Sequence, residues 1–234
     1  MPLPCVEIET APNPRHSVIW LHGLGADGND FAPIVPDLVD RAWPALRFVF
    51  PHAPVRPVTI NNGMAMRAWY DIRGTQIADQ QDEIGIRESI DALDELIARE
   101  AERGVASERV IVAGFSQGGA IALAGGLRHG AKLGGIVALS TYLPLAAKTA
   151  AERSTANAAL SIFVGHGSVD GIVPQALGAT SRDALMALGY AVEWHSYPMA
   201  HQVCAQEIAD LRTWIGKRFA AMSSVAHPAN VGAP

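Results

Sequence analysis

The sequence predicts an α/β fold: a mostly parallel central sheet with helices on both faces. Three observations carry that expectation. Short, nearly unbroken apolar runs recur along the chain, stretches with apolar residues at helical spacing stand between them, and several runs end in glycine-rich turns. Strands that are apolar on both sides belong to sheets covered on both faces, as parallel sheets are. With 234 residues, 49% of them hydrophobic and 18% charged, the chain can build a sizeable core. We expect one domain over residues 1–222 and a flexible tail over 223–234, where no pattern is visible.

The first apolar run, His16-Ser17-Val18-Ile19-Trp20-Leu21-His22, reads as a buried strand. It leads into Gly23-Leu24-Gly25-Ala26-Asp27-Gly28-Asn29-Asp30, a loop with two helix-cap residues at its end. Such a loop is either a plain strand-to-helix turn or half of an oxyanion hole with the Leu24 N–H as donor. Leu46-Arg47-Phe48-Val49-Phe50 is the next strand, stopped by Pro51-His52-Ala53-Pro54. Residues 55–81 show no sustained period, and Asn61-Asn62-Gly63 predicts a small hairpin there. Trp69-Tyr70-Asp71 lies in this excursion, and its aromatics either wall a pocket or plug the excursion onto the core.

From Asp82 to Arg103, Ile86, Ile90, Leu93 and Ile97 recur at helical spacing and Gly104 ends the pattern, so the segment is an amphipathic helix. Its carboxylates, Asp91, Asp94 and Glu95 among them, read as a solvated face. Val110-Ile111-Val112-Ala113-Gly114-Phe115-Ser116-Gln117-Gly118-Gly119-Ala120 then passes from a β-branched run through a glycine-bounded corner into an alanine-rich helix. That is the pattern of a nucleophile elbow with Ser116 at its tip, and glycines two residues to either side relieve the crowding of so sharp a bend.

Residues 135–140 and 160–164 repeat the apolar strand pattern. The second runs into Gly165-His166-Gly167-Ser168-Val169-Asp170, a loop that puts Asp170 at the carboxyl edge of the sheet, where open α/β folds keep their chemistry. Alone, an aspartate at position 170 would more often be a helix cap or turn former. A helix over 176–188 precedes the alternating strand 191–197, and a last helix carries Ile208, Leu211, Ile215 and Phe219. His195 lies inside that strand, whereas His201 occupies the loop position a general base needs.

Ser116, Asp170 and His201 therefore follow in the order nucleophile, acid, histidine, each after a separate strand, as in α/β-hydrolases. A serine hydroxyl is a poor nucleophile until an imidazole takes its proton, and a carboxylate fixes that imidazole's tautomer. The backbone N–H groups of Leu24 and Gln117 would hold the oxyanion. Trp69, Leu143 and Met199 are candidates for substrate binding. Cys204 lies one helical turn from His201, but no elbow precedes it.

Several function classes are disfavoured. A net charge of −5 offers no attraction for nucleic acid or anionic membrane. Cys5 and Cys204, the only cysteines, have no metal-ligand spacing, and the mechanism needs neither metal nor cofactor. The opening Met1-Pro2-Leu3-Pro4 lacks the marks of a leader, and the greasiest segment, Leu133 to Ala147, is too short to span a bilayer. A cytoplasmic, soluble protein without stable membrane insertion is the expectation.

The sequence resembles the bacterial carboxylesterases of the acyl-protein thioesterase and lysophospholipase group, the phospholipase/carboxylesterase family. The resemblance rests on Leu21-His22-Gly23-Leu24-Gly25-Ala26, Pro51-His52-Ala53-Pro54, Arg67-Ala68-Trp69-Tyr70-Asp71, Gly114-Phe115-Ser116-Gln117-Gly118-Gly119, His166-Gly167 with Asp170 and Val173-Pro174, and Ala200-His201. It implies an α/β-hydrolase fold without a large lid domain and a serine carboxylesterase acting on small-molecule esters. In some members the substrates are acyl thioesters or lysophospholipids, and homodimers are common. Trp69-Tyr70 is closer to the bacterial esterase branch than to the Trp-Phe form of eukaryotic thioesterases. A non-catalytic binding protein on the same scaffold is the remote alternative, since such proteins usually lack a triad member.

Overall fold

The computed structural model describes residues 3–75 and 79–224, the side chains of 223–224 excepted. In chain order the elements are β1 (Cys5–Glu9), β2 (His16–Leu21), α1 (Val35–Leu38), β3 (Leu46–Pro51), β4 (Val55–Val58), β5 (Met64–Arg67), α2 (Glu83–Glu102), β6 (Val110–Phe115), α3 (Gln117–Arg128), β7 (Gly135–Leu139), α4 (Ala146–Glu152), β8 (Ser161–Gly167), α5 (Gln175–Ala187), β9 (Ala191–Tyr197) and α6 (Ala205–Ser224). Seven strands form one sheet in the order β1-β3-β2-β6-β7-β8-β9, while β4 and β5 pair as a separate hairpin. Only β1 runs antiparallel to its neighbour in the main sheet.

The unbroken apolar runs are explained by cover on both sides. Ile19, Leu21, Val112, Ile136 and Ile162 point to one face, where they meet Ile86, Ile90, Leu93 and Ile97 of α2 and the small residues of α3. Val18, Trp20, Ile111, Val137 and Phe163 point the other way, against Leu38 of α1 and Ile208, Leu211, Ile215 and Phe219 of α6. Alternate residues thus feed two cores, and burial of both stabilises the sheet.

Four differences from the sequence reading stand out. The edge strand β1 has no counterpart among the elements the sequence predicts. Strand β8 continues through His166 and Gly167, which the sequence had suggested were loop. Helix α6 runs to Ser224, into the predicted tail, whose remaining residues lie outside those described. In α2, Asp91 and Glu95 are exposed and Asp94 pairs with His129, yet Glu100 is fully buried. The Glu100 carboxylate accepts from Arg47 Nη1 at 2.8 Å, from Arg103 Nη1 at 2.9 Å and from the Ser17 hydroxyl. A carboxylate removed from water needs such partners.

Candidate active site

Three loops meet at the carboxyl ends of β6, β8 and β9. The first is the corner between β6 and α3. Ser116 occupies it with φ 53° and ψ −121°, a sparsely populated conformation that the neighbours hold in place. Its N–H donates to the Leu139 carbonyl at 2.9 Å, and its own carbonyl accepts from the Thr141 hydroxyl at 2.6 Å. The corner admits no side chain at its flanks: a Cβ on Gly114 would lie 2.4 Å from the Gly118 carbonyl carbon, and one on Gly118 2.2 Å from the Leu21 carbonyl oxygen.

Asp170 and His201 arrive from the loops after β8 and β9. His201 Nδ1 is 2.7 Å from Asp170 Oδ2 and His201 Nε2 is 2.8 Å from Ser116 Oγ, a continuous hydrogen-bonded chain. Because the carboxylate only accepts, it fixes the proton on Nδ1 and leaves Nε2 free to take the serine proton. The other carboxylate oxygen of Asp170 accepts the backbone N–H groups of Ile172 and Val173, both at 2.9 Å. The Asp170 side chain is fully buried. His201 packs its ring against Phe115, centroids 4.7 Å apart.

A second histidine supports the Asp170 turn. His166 points from β8 into the α5 side of the sheet, fully buried, and its Nε2–H donates to the Val173 carbonyl at 2.9 Å. Burial pushes its pKa down, so the ring is neutral beside Asp170. His166 therefore braces the same turn whose N–H groups face the carboxylate. In the sequence His166 stands out only as part of the His166-Gly167 motif.

The glycine loop after β2 is built equally firmly. His22 donates from Nδ1 to the Gly23 carbonyl at 2.7 Å and accepts the Ala53 N–H at Nε2, 3.0 Å away. Burial lowers the pKa of this ring too. Leu24, next in the loop, lines a cavity that also contains Ser116 and Gln117. Gln117 is the first residue of α3, where a backbone N–H has no partner within the helix.

That cavity measures about 360 Å³, and its walls are mostly apolar: Leu24, Ile60, Tyr70, Ile72, Tyr142, Ile172 and Val173. None of the three substrate-binding candidates, Trp69, Leu143 and Met199, is among its lining residues. Trp69 is the plug rather than the wall, buried with its indole N–H donating to the His22 carbonyl at 2.9 Å. Leu143 lines a neighbouring groove, and Met199 is buried, its N–H donating to the Tyr197 carbonyl at 2.8 Å and its carbonyl accepting the Val169 N–H at 3.2 Å. The walls come instead from Tyr70, the hairpin end and the turn after Asp170. Ile60 sits in a single 3-10 turn, Thr59–Asn61, and Ile172 in an irregular loop, and neither is long enough for a periodicity to mark a face. Among the described residues no group of three or more His, Cys, Asp or Glu side chains is placed to hold a metal ion, and no helix is long and apolar enough to cross a membrane.

A parallel sheet carrying a serine at a strained strand-to-helix corner, bonded to an imidazole and through it to a carboxylate, defines an α/β-hydrolase and a serine hydrolase. The particular family follows from the sequence, which matches the description Phospholipase/Carboxylesterase over residues 3–219; the chain belongs to that family. It is 37% identical over 234 residues to acyl-protein thioesterase 1 of Cryptococcus neoformans, covering 92% of this chain and 98% of that protein. The crystal structure of Arabidopsis thaliana SOBER1 superposes with a TM-score of 0.82 at 30% identity, over 87% of this chain and 99% of that one. The Bacillus cereus carboxylesterase shares the fold, with a TM-score of 0.73 at 19% identity over 92% of this chain and 94% of that one.

Proposed function

We propose that the protein is a serine carboxylesterase that cleaves esters through an acyl-enzyme, with Ser116, His201 and Asp170 as its triad. The observation that carries the proposal is the 2.8 Å contact between His201 Nε2 and Ser116 Oγ, in line with the 2.7 Å contact to Asp170. His201 takes the Ser116 proton as Oγ attacks the ester carbonyl, and the buried Asp170 carboxylate stabilises the imidazolium so formed. The Leu24 and Gln117 N–H groups receive the oxyanion. When the tetrahedral intermediate collapses, His201 returns the proton to the leaving alcohol. A water then repeats the sequence on the acyl-enzyme and releases the carboxylic acid. The mostly apolar walls suit the acyl part of the substrate.

The Trp69-Tyr70 pair supports an esterase of the bacterial branch. A second reading, an acyl thioesterase or lysophospholipase, is supported by the fungal relative's name. Oxygen and sulfur esters of the same acid separate the two readings of the leaving group. Two unpaired cysteines suit a cytoplasmic location, and a homodimer belongs to the same proposal, checked by gel filtration with light scattering. The direct test is turnover of p-nitrophenyl butyrate together with fluorophosphonate labelling. Ser116→Ala is expected to lose both, and folded Ser116→Ala protein with near-normal turnover would refute the proposal.

A further inference from the structure

The cavity at Ser116 is bounded by two tyrosines that reach it from distant parts of the chain. Tyr70 comes from the excursion after β5 and Tyr142 from the loop after β7, and their hydroxyls are 3.0 Å apart. They are 1% and 3% exposed. Burial raises the pKa of both, so each remains a neutral hydroxyl able to share the bond. The backbone of Tyr70 is pinned as well, its carbonyl accepting the Gln117 side-chain amide at 2.6 Å.

Beyond Tyr142 lies a second groove, of about 490 Å³, beside α4 and α5, with Leu143, Leu145, Leu177 and Ala184 in its wall. Tyr142 is the one residue that lines both spaces among the described residues.

We propose that the Tyr70–Tyr142 pair is a specificity-determining partition, which ends the acyl site and sets the longest chain the enzyme accepts. This rests on the esterase reading of Ser116 given above. Each methylene that finds apolar cover raises kcat/KM by about fourfold. A chain long enough to reach the tyrosines must push one aside and break the bond between the two buried hydroxyls, which is costly in an apolar wall. The gain per methylene therefore stops at a definite length. Without the Tyr142 ring the two spaces join, and the second groove offers cover for the rest of the chain.

The test is a series of p-nitrophenyl esters from acetate to palmitate, with kcat/KM measured for the wild type, Tyr142→Ala and Tyr142→Phe. In the wild type the rise of about fourfold per methylene should break at an intermediate length. Tyr142→Ala should carry the rise past that break, so that its preference for long over short esters exceeds the wild type's by on the order of tenfold or more. Tyr142→Phe keeps the ring but removes the bond that resists its displacement, so its break should fall between those of the wild type and Tyr142→Ala. Thermal unfolding and fluorophosphonate labelling establish that each variant is folded; should Tyr142→Ala fail them, Tyr142→Leu, which preserves more of the packing, should move the break in the same direction. An unmoved break in a folded Ala or Leu variant would overturn the partition while leaving the esterase reading intact. A wild type that hydrolyses no ester in the series would overturn both.

Discussion

The Gln117 side chain holds Trp69 from across the active site: its carbonyl oxygen accepts the Trp69 backbone N–H at 2.8 Å, and its amide donates to the next carbonyl, that of Tyr70. One residue thus joins the serine corner to the excursion that walls the cavity. Gln117→Ala leaves a buried donor and a buried acceptor unpaired, which should cost about 2–4 kcal/mol in urea unfolding. Its kcat/KM should fall while remaining well above that of Ser116→Ala, because the backbone N–H at position 117 is kept. Unchanged stability would show that the two bonds are exchanged for water.

Asp170→Asn tests the acid. The retained carbonyl oxygen can still accept the Ile172 and Val173 N–H groups, so the unfolding temperature should change little. The new amide, however, presents N–H to His201 Nδ1 and forces the ring's proton onto Nε2, facing the serine. By analogy with the serine-protease triad, kcat should drop on the order of 10⁴-fold. A variant with near-wild-type kcat would remove Asp170 from the mechanism.

Glu207 supplies a pH dependence of stability. Its carboxyl is fully buried, neither oxygen is bonded among the described residues, and a Cβ on Gly165 would lie 2.1 Å from one of them. Burial, aided by the Asp210 charge, pushes its pKa from 4.5 up to about 8. The folded state therefore binds a proton that the unfolded chain has already released between those values. Stability from this group is complete below the unfolded pKa and declines as pH rises through about 8, by up to about 1.4 kcal/mol per pH unit. Denaturant melts across this range should show the decline, and Glu207→Gln should flatten it. Parallel curves for the two proteins would contradict the assignment.

Glu100 offers the opposite case, a buried carboxylate with three partners. Glu100→Ala leaves the largely buried Arg47 guanidinium with the part-exposed Glu9 as its remaining carboxylate partner and should cost about 2–3 kcal/mol in unfolding. The partners lie near the amino ends of β2 and β3, away from Ser116, so kcat of the folded variant should equal that of the wild type. A variant as stable as the wild type would mean that the network contributes nothing net.

Much of this architecture could be read from the sequence because its signals are local. The two-sided apolar strands, the stripe of Ile86, Ile90, Leu93 and Ile97, and the glycines around Ser116 each follow from a short stretch and one steric rule. The expectations that fell short depend on partners remote in the chain. Glu100 looks like any helix carboxylate until Ser17 and Arg47 are folded beside it. Trp69 could face a cavity or the core, and only the Gln117 side chain and the His22 carbonyl decide. Strand β1 alternates Val6-Glu7-Ile8-Glu9, a pattern short enough to pass for a terminus, and becomes a strand by pairing with β3. His166 and Gly167 have the composition of a turn, yet β9 pairs with both and extends the strand.

The turn after Asp170 serves two purposes with separable parts. Ile172 and Val173 lend their peptide N–H groups to the acid, while the same two residues form part of the cavity wall. On the proposed function, exchanging one side chain for another at these positions should alter what the site admits and keep both N–H groups, since any amino acid but proline supplies them. Ordinary point substitutions here would then retune the substrate range, whereas proline would take a donor away from Asp170.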